Sequence, residues 1–512
     1  MESLERIDWL IIAGYALAIV AVAAWSAFKS RDTHDPFLAG RKISPVLVAM
    51  SLVATAVSGV TFLGGPELSY TGDLTYLIGQ ISEIIAIVLV AFVFLPRYYG
   101  AKVTTVYELI GRRHGLRAQR ATSAMFMLGR VFASGSRLYI AALAVSLILF
   151  GTESDFGSIA ASVAIIATVA CLYTLTGGIR AVIWTDTAQL LVLLGCAILT
   201  IFVLLDRIPM DAGQLWNTLR TPDPTTNEVK ARVVAGGFDL AEDFSLWSAL
   251  TGLMLFNLAA FGTDQDLTQR MLTCSSKQRA AVSAILSKCI GFIVVTVFLV
   301  LGLLLYVYYQ RPDIMGTFTP AHAPRAGVKV FLGFILDEMP PGVKGLVIAG
   351  LFAAAMSSLD SVLNALSTTT VCDFYDRWHP HAMPKKREGV ARRFVVLWAI
   401  VLSAFALSCV WLQDASGDSI IVFALGVMIY AYTGMLAVFL TTMFSKRGST
   451  GSVIAALLVG FAAVAFMQWG PMLLNLDLQI SLGWRMLFGT ILALVVCNAV
   501  PGPSDDEEFV RD

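Results

Sequence analysis

A polar stripe runs through one apolar stretch of the sequence, from Gly350 to Tyr375. A period of 3.6 residues places most of its polar residues on one helix face; they are Ser357, Ser358, Asp360, Ser361, Asn364, Ser367 and Thr368. A carboxylate such as Asp360 inside a bilayer requires a partner, a cavity or an ion. Adjacent serines offer neutral oxygens that can hold a small cation together with backbone carbonyls from a broken neighbouring helix. The alternative is a polar seam between two membrane helices.

The second apolar segment predicts such a break. Ser58 and Gly59 lie near its middle, and glycines and a proline follow at 64–66. Glycine weakens a helix, and freed carbonyls are tolerated at this depth only where they line a cavity or bind an ion. Close helix packing through small residues is the alternative. Further polar side chains at compatible depth are Thr55, Thr61, Gln80 and Glu83.

The composition is that of a membrane protein. Of the 512 residues, 57% are hydrophobic and 14% are charged, which is not the composition of a soluble domain. Apolar runs of about 20 residues, long enough to cross a bilayer, are predicted at 7–28, 45–66, 74–96, 122–150, 156–176, 181–205, 247–264, 281–309, 342–371, 393–412, 418–444, 450–468 and 482–500. We therefore expect an all-α polytopic membrane protein in the lipid bilayer, a single integral domain over 1–512 that ends in a short acidic tail, 501–512.

The Lys and Arg residues predict how these helices are oriented. Basic residues concentrate in alternate connections, for example 97–120 and 377–393, whereas three short connections on the opposite side contain none. The positive-inside rule therefore favours an N-terminus outside and a C-terminus in the cytoplasm. The same distribution of basic residues places Arg270 and Lys288 in a connection on the cytoplasmic side of the membrane. A cell membrane, and more specifically a bacterial inner membrane, is the expected location.

Several classes of function are not indicated. The formal net charge is zero, so no nucleic-acid partner and no general polybasic surface are expected. The seven cysteines lie in or beside apolar segments without close pairing, and the five histidines lie in polar connections. Neither a disulfide framework nor a metal cluster is predicted, and no cofactor or protein partner is evident. The first apolar segment lacks a cleavage site and is interpreted as a retained helix.

Two basic residues remain inside a predicted span, Arg130 and Arg137 in the fourth. They are seven residues apart and therefore lie on one helix face. Arg130 is within reach of the inner interface, where it can snorkel or pair with an acid. Arg137 lies deeper, and its burial requires an ion pair with Glu83 or an anionic ligand. A guanidinium group is well suited to bind a carboxylate.

Two more segments contain polar residues at membrane depth. In TGGIRAVIWTDTAQ, residues 176–189, a glycine pair joins two helices and Asp186 then enters the membrane. Alternatively, Asp186 lies at the membrane interface and caps the start of a helix. Asn257 and Phe261 lie inside the seventh span, and the residues from Gly262 to Arg270 are expected to mark its inner exit.

Several of these motifs resemble one known family. FLAGR at 37–41, SLVATAVSGVTFLGG, VYELIGRRHG, GGIRAVIWTDTAQ, GTDQDLTQR and AAAMSSLDSVLNALSTTTVCDFY are similar to the sodium/solute symporter family, which includes proline, pantothenate, sialic-acid, monocarboxylate and glucose carriers. The resemblance implies a LeuT-type five-plus-five inverted repeat. The repeats would cover 45–205 and 247–444, each led by a broken helix, with 7–28 as an extra N-terminal helix and 450–500 as two C-terminal helices.

The resemblance also implies sodium sites. The family's common site would use the carbonyls of Ala54, Val57 and Ala354 with the hydroxyls of Ser357 and Ser358. These residue types are all able to hold Na⁺.

A second cation site, present in some members, would use Asp186, Asp360 and Ser361. Members usually have a hydroxyl where this chain has Asp360. The change brings two carboxylates together, which either strengthens a second cation site or raises one pKa until a proton is held.

The expected solute is a small organic acid. Sugar carriers of the family have Tyr and Trp at the positions of Ala260 and Phe261, and the aspartate of the proline carrier is Ala56 here. The candidate substrate-binding residues are Ser58, Thr61, Gln80, Arg137, Asn257 and Phe261.

We expect a secondary active transporter that imports a small carboxylate-bearing solute with Na⁺ by alternating access. The alternatives are a transporter-like solute sensor and a symporter coupled to protons instead of sodium. An enzyme is not expected, because no nucleophile or metal motif accompanies the two aspartates.

Overall fold

The computed structural model describes residues 4–29, 37–152, 154–223, 227, 229–316, 320, 322–324, 329–381, 383–416, 420–476 and 478–502. Within these residues, nine helices are long and apolar enough to cross a membrane, and two bent helix pairs pass the same test. Two shorter apolar helices, Phe156–Leu172 and Leu482–Asn498, complete the set. Each predicted span corresponds to one of these segments, which confirms the all-α membrane fold.

The helices follow the chain in this order: α1 (Arg6–Lys29), α2 (Pro45–Ala56), α3 (Gly59–Thr71), α4 (Tyr76–Leu89), α5 (Leu95–Ala101), α6 (Glu108–His114), α7 (Leu116–Phe150), α8 (Phe156–Arg207), α9 (Ala212–Leu219), α10 (Leu246–Ser248), α11 (Met254–Gly262), α12 (Gln265–Leu272), α13 (Lys277–Gln310), α14 (Pro312–Met315), α15 (Lys329–Glu338), α16 (Val343–Thr369), α17 (Asp376–Trp378), α18 (Pro384–Ser416), α19 (Ile420–Phe444), α20 (Thr450–Leu473) and α21 (Leu482–Asn498). Gly178, with φ of 58°, divides α8 into the two predicted spans.

The predicted break in the second span lies between α2 and α3, which meet at an angle of 64°. Val57 is extended, with φ of −84° and ψ of 101°. Ser58 is extended too, and its hydroxyl accepts a hydrogen bond from the Val60 amide at 3.3 Å. A hydroxyl in this position caps the new helix and replaces a missing backbone partner. The last carbonyls of α2 are therefore free of regular helical bonds.

A second break separates α11 from α12, at an angle of 55°. The Asp264 side chain caps α12 by accepting from the Asp266 amide at 2.9 Å. The predicted end of this span at 264 is therefore wrong, because the chain bends there and continues as a helix to Leu272. All eight residues of α12 are buried. Arg270 lies inside the protein and not in an inner connection.

The prediction that Lys288 lies in an inner connection is also wrong. This lysine lies in α13, is 5% exposed and pairs with Glu83. The positions of the basic residues in the sequence identified Arg130 and Arg137 as residues inside a membrane span. They did not identify Arg270 and Lys288 as buried residues. Both were treated as loop residues because they lie near predicted span ends, whereas the structure supplies each with a carboxylate partner.

The segment with the polar stripe forms α16, which packs against α8, α1, α7 and α2. Most of its residues are buried, including Ser357, Ser358, Asp360 and Ser361. The stripe therefore faces other helices of the protein and not lipid.

A carboxylate of the N-terminal helix holds the start of α16. Asp8 is fully buried, and its Oδ1 accepts from the amides of Gly342 and Gly345, each at 2.8 Å. Gly345 lacks a side chain at a point where a Cβ would lie 2.6 Å from Asp8 Cα. An anion at a helix N-terminus satisfies otherwise unpaired amides and interacts favourably with the helix dipole.

Asp8→Ala is expected to lower the melting temperature of the detergent-purified protein. The substitution leaves two buried amides without an acceptor, at a cost of about 1–3 kcal/mol. Glu5→Ala is the matched control, since Glu5 is an exposed carboxylate that immediately precedes the same helix. Equal melting temperatures for the two variants would contradict this role of Asp8.

Candidate solute and sodium sites

A cavity lies between α4, α7, α11 and α19, beside the break of α2. The space that a water-sized probe can occupy in it is about 110 Å³. The residues that line it are Thr55, Ala56, Tyr76, Gly79, Gln80, Glu83, Arg130, Arg137, Phe244, Leu253, Phe256, Asn257, Ala260, Phe261, Leu267, Leu425 and Met428.

Four of the six predicted substrate residues line this cavity: Gln80, Arg137, Asn257 and Phe261. Ser58 and Thr61 are not among the lining residues. Ser58 instead caps α3. Phe244, from the long connection before α10, was not predicted; its ring packs edge-on against Tyr76 at 5.0 Å. A loop residue of this kind gives no periodic signal in the sequence.

Arg137 is the unusual charge of the cavity. One of its Nη atoms lies 3.5 Å from the Thr55 carbonyl, and the other lies 3.8 Å from Met428 Sδ. Among the described residues, no carboxylate lies within ion-pair distance of this guanidinium. The predicted alternative, an ion pair with Glu83, is wrong because Glu83 pairs with Lys288.

Glu83 and Lys288 form a compensated pair at the cavity wall. Lys288 Nζ lies 2.5 Å from Glu83 Oε1 and 3.6 Å from the centroid of the Phe261 ring. A cation over an aromatic face is attracted to its π electrons. Lys288 therefore neutralises Glu83 and fixes Phe261, one of the predicted lining residues.

Arg130 pairs with the acids at the second helix break. Its Nη2 lies 2.7 Å from Asp264 Oδ2 and 3.4 Å from Asp266 Oδ2. The Tyr432 hydroxyl also donates to Asp264 Oδ2, at 2.6 Å. The sequence left two possibilities for Arg130, snorkelling to the inner interface or pairing with an acid, and the structure shows the second. This network closes the cavity toward α12.

Three of the five predicted sodium ligands meet directly. Ser357 Oγ lies 2.9 Å from the Ala54 carbonyl oxygen and 3.3 Å from that of Ala354. Ser358 is buried beside it, and its hydroxyl donates to the Ala355 carbonyl at 3.1 Å. Val57 lies at the break itself, where its extended backbone directs its carbonyl out of the helix. Neutral hard oxygens from two broken or adjacent helices suit a small monovalent cation.

The predicted second-site residues also lie together, but with an unforeseen neighbour. Asp360 Oδ1 accepts from Ser361 Oγ at 3.1 Å. Asp186 Oδ2 lies 3.3 Å from Arg270 Nη2, and the same guanidinium donates to Ser361 Oγ. Arg270 also pairs with Asp266, whose Oδ1 lies 2.8 Å from its Nη1. The spacing of four residues between Asp266 and Arg270 in one helix is the sequence signal that could have revealed this second pair.

Breaking the Glu83–Lys288 pair is expected to destabilise the protein strongly. Glu83→Gln leaves a buried ammonium without a counter-charge, at about 3–5 kcal/mol. The double variant Glu83→Gln/Lys288→Met removes both charges and is expected to recover much of the melting temperature. Additive losses in this double-mutant cycle would show that the two side chains do not depend on each other.

Comparisons with known proteins agree with this arrangement. A profile of the Sodium:solute symporter family matches residues 37–460. The Sodium/sialic acid symporter SiaT of Proteus mirabilis (strain HI4320) is 28% identical over 509 residues, which cover 98% of each chain. Human Sodium-coupled monocarboxylate transporter 2 is 27% identical over 406 residues, 78% of this chain and 63% of that protein.

A solved structure shares the fold. The structure of a Na⁺-coupled sialic acid symporter, in a substrate-bound outward-open state that revealed a novel Na⁺ site, superposes with a TM-score of 0.81 at 25% identity. The match covers 98% of this chain and 99% of that one, which confirms the LeuT-type architecture. The chain therefore belongs to the sodium:solute symporter family, and it is a multi-pass membrane protein that carries a small organic solute together with Na⁺ and is not an enzyme.

Proposed function

We propose that the solute is a small organic acid whose carboxylate binds Arg137, with sialic acid as the first candidate. The observation that carries this proposal is the half-buried guanidinium of Arg137, which lines the cavity and has no carboxylate partner among the described residues. A buried charge is costly unless it is paired. A solute carboxylate supplies the missing charge and accepts two parallel hydrogen bonds.

The remaining lining suits the rest of such a molecule. Gln80 and Asn257 offer amide donors and acceptors for hydroxyl or acetamido groups. Phe256 and Phe261 supply apolar surface. Similarity to a sialic acid symporter and to a monocarboxylate transporter supports a carboxylate as the shared feature of the solute.

Sodium is proposed to bind where α2 breaks beside α16. The ligands are the carbonyls of Ala54, Val57 and Ala354 and the hydroxyls of Ser357 and Ser358. In the structure, the Ser357 hydroxyl donates to Ala54; on sodium binding, its proton would turn away so that both oxygens face the ion. Each Na⁺ that crosses inward gains about 2.3 kcal/mol per 100 mV of membrane potential.

The topology is part of the same proposal. Residues 45–205 and 247–444 would form the two inverted repeats, since each begins with a bent pair. The segment 7–28 would precede them, and 450–500 would follow, within one integral domain. The distribution of basic residues supports an N-terminus outside and a C-terminus in the cytoplasm. The bilayer would be a bacterial inner membrane.

Sialic acid is expected to raise the melting temperature in sodium but not in potassium, because a ligand of the folded state stabilises it by mass action. The methyl ester of sialic acid is the matched control, as it lacks only the carboxylate charge. Arg137→Lys should weaken the shift by at least about tenfold in apparent affinity, since it removes bidentate binding. An equal shift with the ester would refute the carboxylate assignment.

Ser357→Ala is expected to abolish sodium-dependent stabilisation without loss of folding. It removes one proposed ligand and leaves the small Ala residues around it unchanged. Ser367→Ala is the control, because Ser367 lies in the same helix and donates to the Ala391 carbonyl. Unchanged sodium dependence in Ser357→Ala would exclude this site.

A further inference from the structure

One wall of the cavity comes from a connection between helices and not from a membrane helix. Phe244 belongs to the segment 230–246, between α9 and α10, which the proposed topology places outside the cell. It lines the cavity and is half-buried. Its ring packs edge-on against Tyr76, the first residue of α4, with the ring centroids 5.0 Å apart. Edge-to-face packing of this kind favours one relative orientation of the two rings.

The aromatic pair lies at the outer end of the cavity. Four residues of α4 line the cavity, Tyr76, Gly79, Gln80 and Glu83, and their spacing places them on one helix face. At a rise of 1.5 Å per residue, Tyr76 lies about 6 Å nearer the start of α4 than Gln80. In the proposed topology α4 begins on the outer side, so a solute that enters from outside meets the aromatic pair first.

The cavity is apolar beside this pair. Leu253, immediately before α11, also lines it. A Cβ at Gly79 would lie 3.7 Å from Leu253 Cδ1, so Leu253 faces α4 one turn away from Tyr76. Arg137 lies instead against the Thr55 carbonyl, at the end of α2. The cavity therefore offers apolar surface at its outer end and a cation beside the first helix break.

Two sets of contacts hold the segment 230–246 in place. At its start, Lys230 Nζ donates to the carbonyls of Tyr70, Thr71 and Gly72, at 3.2, 3.1 and 2.9 Å. These carbonyls lie at the end of α3, where backbone oxygens lack helical amides as partners. An ammonium group there also interacts favourably with the helix dipole. The start of the segment is therefore fixed to the end of α3.

The end of the segment is fixed to the start of α21. Asp243, which precedes Phe244, accepts from the Leu482 amide at 3.0 Å. Leu482 is the first residue of α21, and an amide in this position has no partner within its own helix. The Trp484 indole donates to the Asp239 carbonyl at 3.1 Å. A helix outside both proposed repeats thus determines where Phe244 lies.

We infer that the segment 230–246 is a selectivity element of the solute site, in which Phe244 and Tyr76 bind an apolar group of the solute while Arg137 binds its carboxylate. The inference deepens the proposed function and rests on it for the charged part of the solute. It restricts the solute to an organic acid that also carries an apolar group, such as the acetamido methyl of an N-acylated sugar acid. Apolar surface that leaves water on binding adds affinity in proportion to its area. Asp243 acts through Phe244 and is a positioning residue.

Calorimetric titration of the detergent-purified full-length protein with sialic acid, in sodium, tests this inference. Phe244→Ala is expected to raise the dissociation constant about tenfold, because it removes the aromatic surface at the outer end of the cavity. Phe238→Ala is the matched control and should bind as wild type does. Phe238 lies in the same segment, but its ring packs against Trp484 and it is not among the residues that line the cavity.

Asp243→Ala tests the positioning role. It removes the acceptor of the Leu482 amide and is expected to weaken sialic acid binding nearly as much as Phe244→Ala does. The double variant should lose no more affinity than Phe244→Ala alone, because both substitutions act through the same ring. Additive losses would overturn the positioning role.

Wild-type affinity in a folded Phe244→Ala variant would overturn the inference. If Phe244→Ala does not fold, Asp243→Ala decides, and wild-type affinity in that variant would overturn the inference instead. The methyl ester of sialic acid separates the two proposals. If wild type binds the ester and the acid equally, the carboxylate assignment fails, and a tenfold loss in Phe244→Ala still supports the selectivity element. A wild type that binds neither compound would overturn both.

Discussion

A charge buried between helices must meet an opposite charge, and this constraint accounts for much of the interior of the protein. Arg130 meets Asp264, Lys288 meets Glu83, and Arg270 meets Asp186 and Asp266. Glu83–Lys288 and Asp186–Arg270 join different helices, and Arg130 joins α7 to the second helix break, whereas Asp266 and Arg270 lie four residues apart in α12. Arg137, which is half-buried, lines the cavity and has no carboxylate partner among the described residues. Its guanidinium is therefore available for a solute.

The two helix breaks serve different purposes within the same fold. At the first, Val57 and Ser58 are extended, and the Ala54 carbonyl just before them accepts from Ser357 in α16. At the second, Asp264 caps α12 and also binds Arg130 and Tyr432. The first break therefore places a neutral backbone oxygen beside Ser357, and the second places a charged network beside the cavity. An uninterrupted helix could not offer such a free backbone oxygen, because its backbone groups are bonded to one another.

The sequence was sufficient to predict the helices, the first break and the clustering of most site residues. These features depend on the length of apolar segments, the positions of glycines and the spacing of hydroxyl side chains, which are all local signals. It was insufficient for Arg270 and Lys288, whose partners lie 84 and 205 residues away in the chain. Ser58 and Thr61 were predicted to bind the solute from their spacing and from the family resemblance, but they are not among the residues that line the cavity. They lie at and after the 64° bend between α2 and α3, and no local sequence pattern reports that angle.

Consecutive carbonyls at the end of α2 link the sodium site to the solute site. The Ala54 carbonyl accepts from Ser357 at the proposed ion site, and the next carbonyl, of Thr55, lies 3.5 Å from Arg137. An ion that orders Ala54 and Val57 also fixes Thr55, because the peptide between neighbouring residues is rigid. Sodium would then orient the Arg137 guanidinium for a carboxylate before the solute arrives. The coupling is reciprocal, so a bound solute strengthens sodium binding by the same free energy.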